Sequence, residues 1–497
     1  MGSSPMRSAI MTVLSRYEPW GRISSGGMSD VWLARHAALG LPVIIKTLRP
    51  EVAARVRDAD EIMRATARLM ARLSAPGIVR VLDVGTDVIG GASHATPCLV
   101  EEYIDGIDLG ELDARRRAAL GRPLPLWMVA DLVAQAAEGL HAAHQVGVVH
   151  RDIKPANLFA DAALRVRVGD FGIAVAPREQ RAFGPAGTPL FMAPEQLVGG
   201  TTDRRADVFS LGATAYALRY GAPPWADSGS LARGDLDPIF PAAASPEEAF
   251  FQHLLRAAMA KDPAHRPASA RHLTQQLRSL VLSARPTLAC ARLSPGSYTI
   301  GGMRVSVEVG NLAHAKVDGI ISSAYSEMRM DQGVGLALKQ AGGDAIELEA
   351  MRYGAQALGE CIETSAGALP CRSVLHAVGA WNEVSCIARA LMRALWLAET
   401  KTYRSIALPA IGTGRGRVSL ASSADTIATA LRTHAELGGR LREARIVVVD
   451  EPSFQVFDET LAGILMGRDT SDERVADGVD HATAATAFSG EGPHVIA

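Results

Sequence analysis

His150-Arg-Asp-Ile-Lys-Pro-Ala-Asn157, followed 13 residues later by Asp170-Phe-Gly172, decides how the first half of this 497-residue chain is read. Moving a phosphoryl group from a nucleotide to a hydroxyl needs three groups held close together. They are a carboxylate to position the hydroxyl, a cation beside the transferred phosphate, and oxygen ligands for Mg²⁺. Asp152, Lys154 and Asn157 supply one of each within a single loop, and Asp170 is suited to chelate Mg²⁺ between phosphates. The two motifs in this order and spacing point to ATP-dependent transfer, with Asp152 and Lys154 catalytic and Asn157 and Asp170 holding the metal.

Working outward, the length favours two to four domains. Residues 15–282 alternate strand-like and helix-like segments and form the first domain. A Pro-punctuated stretch, 283–300, reads as a linker. Residues 301–466 again alternate short apolar strands with helices, which implies a layered α/β domain. The tail, 467–497, is rich in Asp, Gly, Ala and Thr and reads as disordered. A net charge of -2 argues against a dedicated nucleic-acid binder, whose affinity would rest on phosphate neutralisation. The five cysteines are scattered with no CxxC spacing, which suits free thiols in a reducing cytosol. No apolar run reaches about 18 residues, so no membrane span and a cytoplasmic location are expected. Lysine occurs only at 46, 154, 261, 316, 339 and 401, so a lysine at a motif position carries weight.

From Tyr17 to Ser283 the chain resembles the bacterial Hanks-type serine/threonine protein kinases. Beside the two motifs above, Ile23-Ser-Ser-Gly-Gly-Met-Ser-Asp-Val31 looks like their Gly-rich loop and Val43-Ile-Ile-Lys46 like the strand carrying the ATP-binding lysine. Gly187-Thr-Pro-Leu-Phe-Met-Ala-Pro-Glu195 looks like the end of the activation segment. Asp207-Val-Phe-Ser-Leu-Gly212 and Lys261-Asp-Pro-Ala-His-Arg-Pro267 look like later structural motifs. The resemblance implies an α+β bilobal protein-kinase fold, an ion pair between Glu195 and Arg266, protein substrates, and Mg²⁺ and ATP as cofactors. It also implies an ATP site built from Ser24, Gly26, Gly27, Val31, Lys46, Glu101, Glu102, Ile104 and Phe159.

The departures from that family are informative. Ser24 stands where the first loop glycine is usual, and Ile44 replaces the small residue that roofs the adenine. The helix after Lys46 should supply a glutamate to pair with it, but the aligned residue is Thr66. Glu61 lies five residues away, about 140° round the helix, and cannot simply substitute. In Val100-Glu-Glu-Tyr-Ile-Asp-Gly106 the position behind the adenine, usually apolar, is Glu101. A buried carboxylate needs a partner. Glu101 therefore either replaces the helix glutamate as the partner of Lys46 or, with a one-residue shift, lies at the surface. No Ser, Thr or Tyr occurs between Gly172 and Thr188, so the activation segment offers no hydroxyl there to phosphorylate.

The second domain resembles the macro domain, a module that binds ADP-ribose, which implies an α/β/α three-layer fold with a mixed sheet. Val309-Gly-Asn-Leu312 and Val317-Asp-Gly-Ile-Ile-Ser-Ser-Ala324 look like its opening strands. Gln332-Gly-Val-Gly-Leu-Ala-Leu-Lys-Gln-Ala-Gly-Gly343 looks like its first phosphate loop, and Leu408-Pro-Ala-Ile-Gly-Thr-Gly-Arg-Gly416 like the second. The ADP-ribose site so implied comprises Asn311, Gly333, Val334, Gly412, Thr413, Gly414, Arg415 and Gly416. Closely spaced glycines let backbone N–H groups approach a pyrophosphate. Asn311 stands for the family's aspartate, Ser322 and Tyr325 replace its asparagine pair, and Gly335 replaces the aspartate some members use for hydrolysis. This favours a reader of ADP-ribose over a hydrolase. The expectation is a serine/threonine kinase with an ADP-ribose-type sensor. A pseudokinase scaffold and an ADP-ribosyl hydrolase remain the alternatives.

Overall fold

The computed structural model describes residues 10–11, 16–25, 29–49, 59–73, 75–89, 96–171, 189–233, 237–381, 384–414 and 416–466. The expected tail 467–497 and the segment 172–188 lie outside these residues, as do Gly26, Gly27 and Arg415.

The first lobe is a six-stranded antiparallel sheet in the order β1-β5-β6-β4-β3-β2. Its strands are β1 (Ile10–Met11), β2 (Tyr17–Ser25), β3 (Ser29–His36), β4 (Pro42–Leu48), β5 (Val81–Ile89) and β6 (Thr96–Glu102). Helix α1 (Ala59–Ala71) packs beside β5 and β6. The period-two alternation expected of strands is plain in β4. Val43, Ile45 and Thr47 are buried on one face, and Ile44 and Lys46 share the other. Tyr17, Ala34, Cys98 and Val100 join Val43 and Ile45 in a local core.

A three-stranded sheet of β7 (Gly106–Asp108), β8 (Leu158–Asp161) and β9 (Val166–Val168) opens the helical lobe. Its helices are α2 (Leu109–Leu120), α3 (Leu126–Gln145), α4 (Pro194–Val198), α5 (Arg205–Tyr220), α6 (Ser228–Arg233), α7 (Pro246–Ala258) and α8 (Ala270–Ala284). Helix α2 starts at Asp108, whose carboxylate accepts the Glu111 N–H, and stops at Gly121 in left-handed backbone. Helix α5 is buried all round from Ala206 to Leu218, so it is a central core helix rather than an amphipathic surface one. Arg266 donates two hydrogen bonds to Glu195, at 2.7 and 2.8 Å, which is the expected ion pair.

The second sheet has the order β10-β11-β12-β18-β17-β13-β15-β14, with β16 on β15. Its elements are β10 (Cys290–Ser294), β11 (Ser297–Ile300), β12 (Met303–Val309), β13 (Gly319–Tyr325), α9 (Gly333–Gly342), α10 (Ala345–Arg352), β14 (Cys361–Ser365), β15 (Ser373–Trp381), β16 (Val384–Ser385), α11 (Ile387–Thr400), β17 (Ser405–Pro409), α12 (Leu420–Glu436), β18 (Glu443–Val448) and α13 (Glu451–Met466). The central pairs β12–β18, β18–β17, β17–β13 and β13–β15 are parallel, and the edges are antiparallel. Successive strand residues enter different cores. Ile320, Val374, Ala407 and Val447 pack with Leu338 of α9 and Ile346 of α10. Ile321, Leu375, Ile406 and Ile446 pack with the set containing Leu391 of α11 and Leu431 of α12. This is the expected three-layer α/β/α arrangement.

The 283–300 stretch differs from a simple linker. Residues Cys290–Ser294 and Ser297–Ile300 form a hairpin on the second sheet, with Tyr298 and Ile300 buried. Pro295-Gly296 is its turn, with Gly296 at φ 70°, so the Pro-Gly signal marks a hairpin rather than a domain joint.

The two halves share one continuous apolar core and a set of charged contacts. Arg393 of α11 forks onto Glu111 of α2 at 2.6 and 2.9 Å. Buried Arg116 donates to the Leu437 carbonyl, and Thr433 to the Ala162 carbonyl. Burial raises the Glu111 carboxyl, but Arg393 and Arg115 bring it down to about 2. A depressed carboxylate stabilises the fold above its ordinary range and loses that contribution as pH falls toward its folded value. Glu111→Gln is therefore expected to cost about 2 kcal/mol at pH 7. The difference from wild type should shrink below pH 4.5. Calorimetric melting of both proteins at pH 7 and pH 3 checks this, and a pH-independent difference would contradict it.

Candidate active site

The catalytic loop is fastened from beneath by Asp207 of α5. Its carboxylate accepts the N–H groups of His150 (2.9 Å) and Arg151 (2.8 Å) and meets His144 Nε2 at 2.7 Å. Gln196 of α4 donates to the Arg151 carbonyl, and His150 Nε2 lies 2.9 Å from the Gly169 carbonyl. Arg151 and Asp170 both take positive φ, 69° and 57°. Non-glycine residues rarely adopt such backbone, and here the packed surroundings impose it. His144 and Gln196 were not singled out by the sequence. An ordinary histidine in the last turn of α3 carries no mark of its role.

On this base four chemical groups converge. Lys154 Nζ donates to Asp152 Oδ2 at 2.8 Å. Asn157 Nδ2 donates to the Asp152 carbonyl (2.6 Å) and to its Oδ2 (3.1 Å). The Gly169 N–H bonds the Asn157 carbonyl, which sets Asp170 beside Asn157. Asp152 therefore stands with its carboxylate oriented by a cation and an amide, as a hydroxyl-positioning group requires.

Lys46 and Glu101 form an ion pair at 2.7 Å, with only 12% and 7% of their side chains exposed. Strand register explains it. Ile44 lies opposite Glu101 and Lys46 opposite Leu99. Lys46 and Glu101 are therefore diagonal neighbours on one sheet face, within reach of long side chains. Lys46 also bonds Asp170 Oδ1 at 3.2 Å. Burial pulls the Lys46 ammonium down, but Asp170 and Glu101 more than offset this and hold it above its ordinary range. Lys46 in turn holds the Asp170 carboxyl below the usual carboxylate range. Thr66 lies on α1, but its side chain is outside the described residues; Glu61 on that helix is exposed.

The other expected ATP-site residues frame the same region. Val31 pairs with Lys46 across β3–β4 and with Ser24 across β2–β3. Phe159 on β8 lies under Gly169, where a Cβ would meet its ring at 2.8 Å. Glu102 turns its carboxylate to Arg80, and Ile104 is buried.

The fit to Mg²⁺ is good. Asn157 spends its amide NH₂ on Asp152, which leaves Oδ1 as its donor to a cation, and Asp170 is held ionised. One carboxylate and one carbonyl oxygen, completed by phosphates, is a normal Mg²⁺ environment.

In the second half, β13 and β17 are adjacent parallel strands, so the loops after them open at one sheet end. The second loop is tightly built. Gly412 has φ 83°, and a Cβ there would meet Ile387 at 2.7 Å. The Gly412 N–H reaches Ser323 Oγ at 3.5 Å, Thr413 donates to the Ala410 carbonyl, and Val418 N–H to the Gly412 carbonyl. Tyr325 bridges the loops, its hydroxyl 3.4 Å from where a Gly414 Cβ would stand. Gly416 is buried, and Gly333, at φ 52°, and Val334 open α9. Asn311 is exposed and uses its side-chain oxygen to cap Ala313. Gly335 is buried against Met330, its virtual Cβ 3.3 Å from the Met330 Cα, so the position has little room for an aspartate.

Comparison with known proteins agrees with this geometry. The protein kinase domain family model matches residues 17–289, and the macro domain model matches residues 321–427. Serine/threonine-protein kinase PknB of Mycobacterium leprae is 36% identical over 216 residues, covering 42% of this chain and 33% of the relative. Serine/threonine-protein kinase pkn2 of Myxococcus xanthus is 34% identical over 273 residues, covering 51% and 31%. PknB of Mycobacterium tuberculosis is 31% identical over 332 residues, covering 64% and 51%. The chain thus spans about a third to a half of the length of these relatives. Among the described residues no helix is long and apolar enough to cross a membrane. With the kinase model covering more than half of its length, the chain belongs to the protein kinase family and carries a macro domain behind its kinase domain.

Proposed function

We propose that this chain is an Mg²⁺- and ATP-dependent serine/threonine protein kinase whose macro domain reads ADP-ribose or an ADP-ribosylated protein. The convergence of Asp152, Lys154, Asn157 and Asp170 on one loop pair is the observation that carries the reading. Asp152 orients the acceptor hydroxyl and takes its proton. Lys154, released from Asp152 as substrate enters, meets the charge of the transferred phosphoryl group. Lys46, held by Glu101, binds the other phosphates. Asn157 and Asp170 would hold Mg²⁺, which neutralises phosphate charge when bound. The intact set weighs against a binding-only scaffold, and crowded Gly335 weighs against a hydrolase. Five free thiols suit a cytoplasmic setting.

The test is incubation of the full chain with γ-labelled ATP, Mg²⁺ and a panel of protein acceptors, followed by phosphoamino-acid analysis. Label on serine and threonine is expected, and none when EDTA removes the metal. Tight ATP binding with no transfer to any acceptor or to the chain itself would overturn the reading in favour of a scaffold.

A further inference from the structure

The kinase hinge, residues 103–105 between β6 and β7, ends in an aspartate that serves the other domain. Asp105 sends its carboxylate out of the kinase to the start of α11, where Oδ2 accepts the Ala388 N–H at 2.9 Å and Oδ1 the Arg389 N–H at 2.8 Å. These are N–H groups of a helix first turn, which need an external acceptor. Helix α11 begins at Cys386 without a side-chain cap of its own. The neighbouring hinge residue is enclosed as well. Tyr103, Ile44 and Trp20 of the kinase pack on a cluster of Leu33, Leu358 and Cys386, the last two from the macro domain. Behind Asp105, Gly106 is pressed onto β8, with no room for a Cβ beside the Ala160 carbonyl. The hinge is thus pinned on one side by its own lobe and on the other by α11.

The same helix start is a wall of the macro phosphate loop. Ile387, its first residue, is the atom set that Gly379 and Gly412 press against, at 3.3 and 2.7 Å from their virtual Cβ positions. The Cys386 N–H bonds the Gly379 carbonyl. Ile387 touches the glycine loop, and Ala388, the next residue, is bonded to the hinge. Ile387 thus stands between Gly412 and the N–H groups that hold Asp105.

We propose that Asp105 is a positioning residue for the kinase nucleotide site, and that an ADP-ribose-type pyrophosphate in the macro loop and a nucleotide at the hinge strengthen each other's binding through the start of α11. This rests on the reading above that the two domains bind these ligands. Neither ligand contacts Asp105 in this scheme. Its effect is to share one ordering cost between two sites, which by thermodynamic linkage must act equally in both directions.

The experiment is calorimetric titration of the full chain with Mg-ADP, with and without saturating ADP-ribose, and the reverse. In wild type each ligand is expected to tighten the other by the same factor, about fivefold or more. Asp105→Ala should bring that factor to one while ADP-ribose alone still binds within about twofold of wild type. Asp105→Asn, which keeps one acceptor oxygen but sets an NH₂ against the second N–H, should fall between the two. Two ligands that bind together without altering each other overturn the linkage, as does a factor that survives in Asp105→Ala. Mutual weakening would mark competition for one site and overturns it equally. Absence of any ADP-ribose binding is a separate result, which removes the macro reading itself. If Asp105→Ala fails to fold, the presence or absence of coupling in wild type still decides the linkage, and Asp105→Asn decides the part of Asp105.

Discussion

Glu101→Leu is expected to lower kcat/KM for ATP about 100-fold while leaving the chain folded. An equilibrium loss near 2.7 kcal/mol in transition-state binding corresponds to that factor, about the worth of one well-placed polar contact in a closed site. Lys46 is nearly buried and has two carboxylate partners, Glu101 at 2.7 Å and Asp170 at 3.2 Å. Removing Glu101 leaves the ammonium to Asp170 alone, the residue proposed to hold Mg²⁺. Lysine and metal then compete for one carboxylate, so the Mg²⁺ requirement should rise together with KM. Glu101→Gln keeps the shape and a hydrogen-bond acceptor but not the charge, and should fall between the two, at about a tenfold loss. Steady-state kinetics over a range of ATP and Mg²⁺, with circular dichroism as the control on folding, make the comparison. Wild-type kinetics in Glu101→Leu would show that Lys46 is positioned without it.

Asp152→Asn should abolish turnover by a different route, with a fall of about 1,000-fold or more in kcat and little change in nucleotide affinity. The substituted amide can still accept from Lys154, and the main-chain bond from Asp152 N–H to His150 Nδ1 is untouched, so the loop keeps its shape. What disappears is the negative charge that orients the hydroxyl and takes up its proton. Asp152 is not among the proposed metal ligands, so Mg-ADP should bind as in wild type. A parallel loss of binding would assign Asp152 to nucleotide or metal holding instead.

Much of this was legible because certain residues can do only one thing in their motif. His150 to Asn157 and Asp170 name their chemistry by type and spacing, and the fold brings all four groups together. Glu101 was legible only as a conflict, a carboxylate at an apolar position. Strand register between β4 and β6, which no single strand encodes, resolved the conflict by setting Ile44 opposite Glu101. The linker was misread because Pro295-Gly296 signals a turn without saying what it joins. His144 and Asp105 were invisible for the same physical reason. Each acts across 63 or more residues of sequence, His144 on Asp207 and Asp105 on Ala388, and local pattern carries no trace of such a partner. The macro loops were readable from glycine spacing, but Ile387, which gives Gly412 its need to be glycine, comes from a helix 25 residues earlier.

The most direct test of the central claim is transfer of the γ-phosphate under single-turnover conditions, wild type beside Asp152→Asn at saturating Mg-ATP. Transfer to serine or threonine hydroxyls by wild type, lost in the variant although nucleotide still binds, is the predicted result. Equal transfer in both, or none in either with ATP bound, would contradict it.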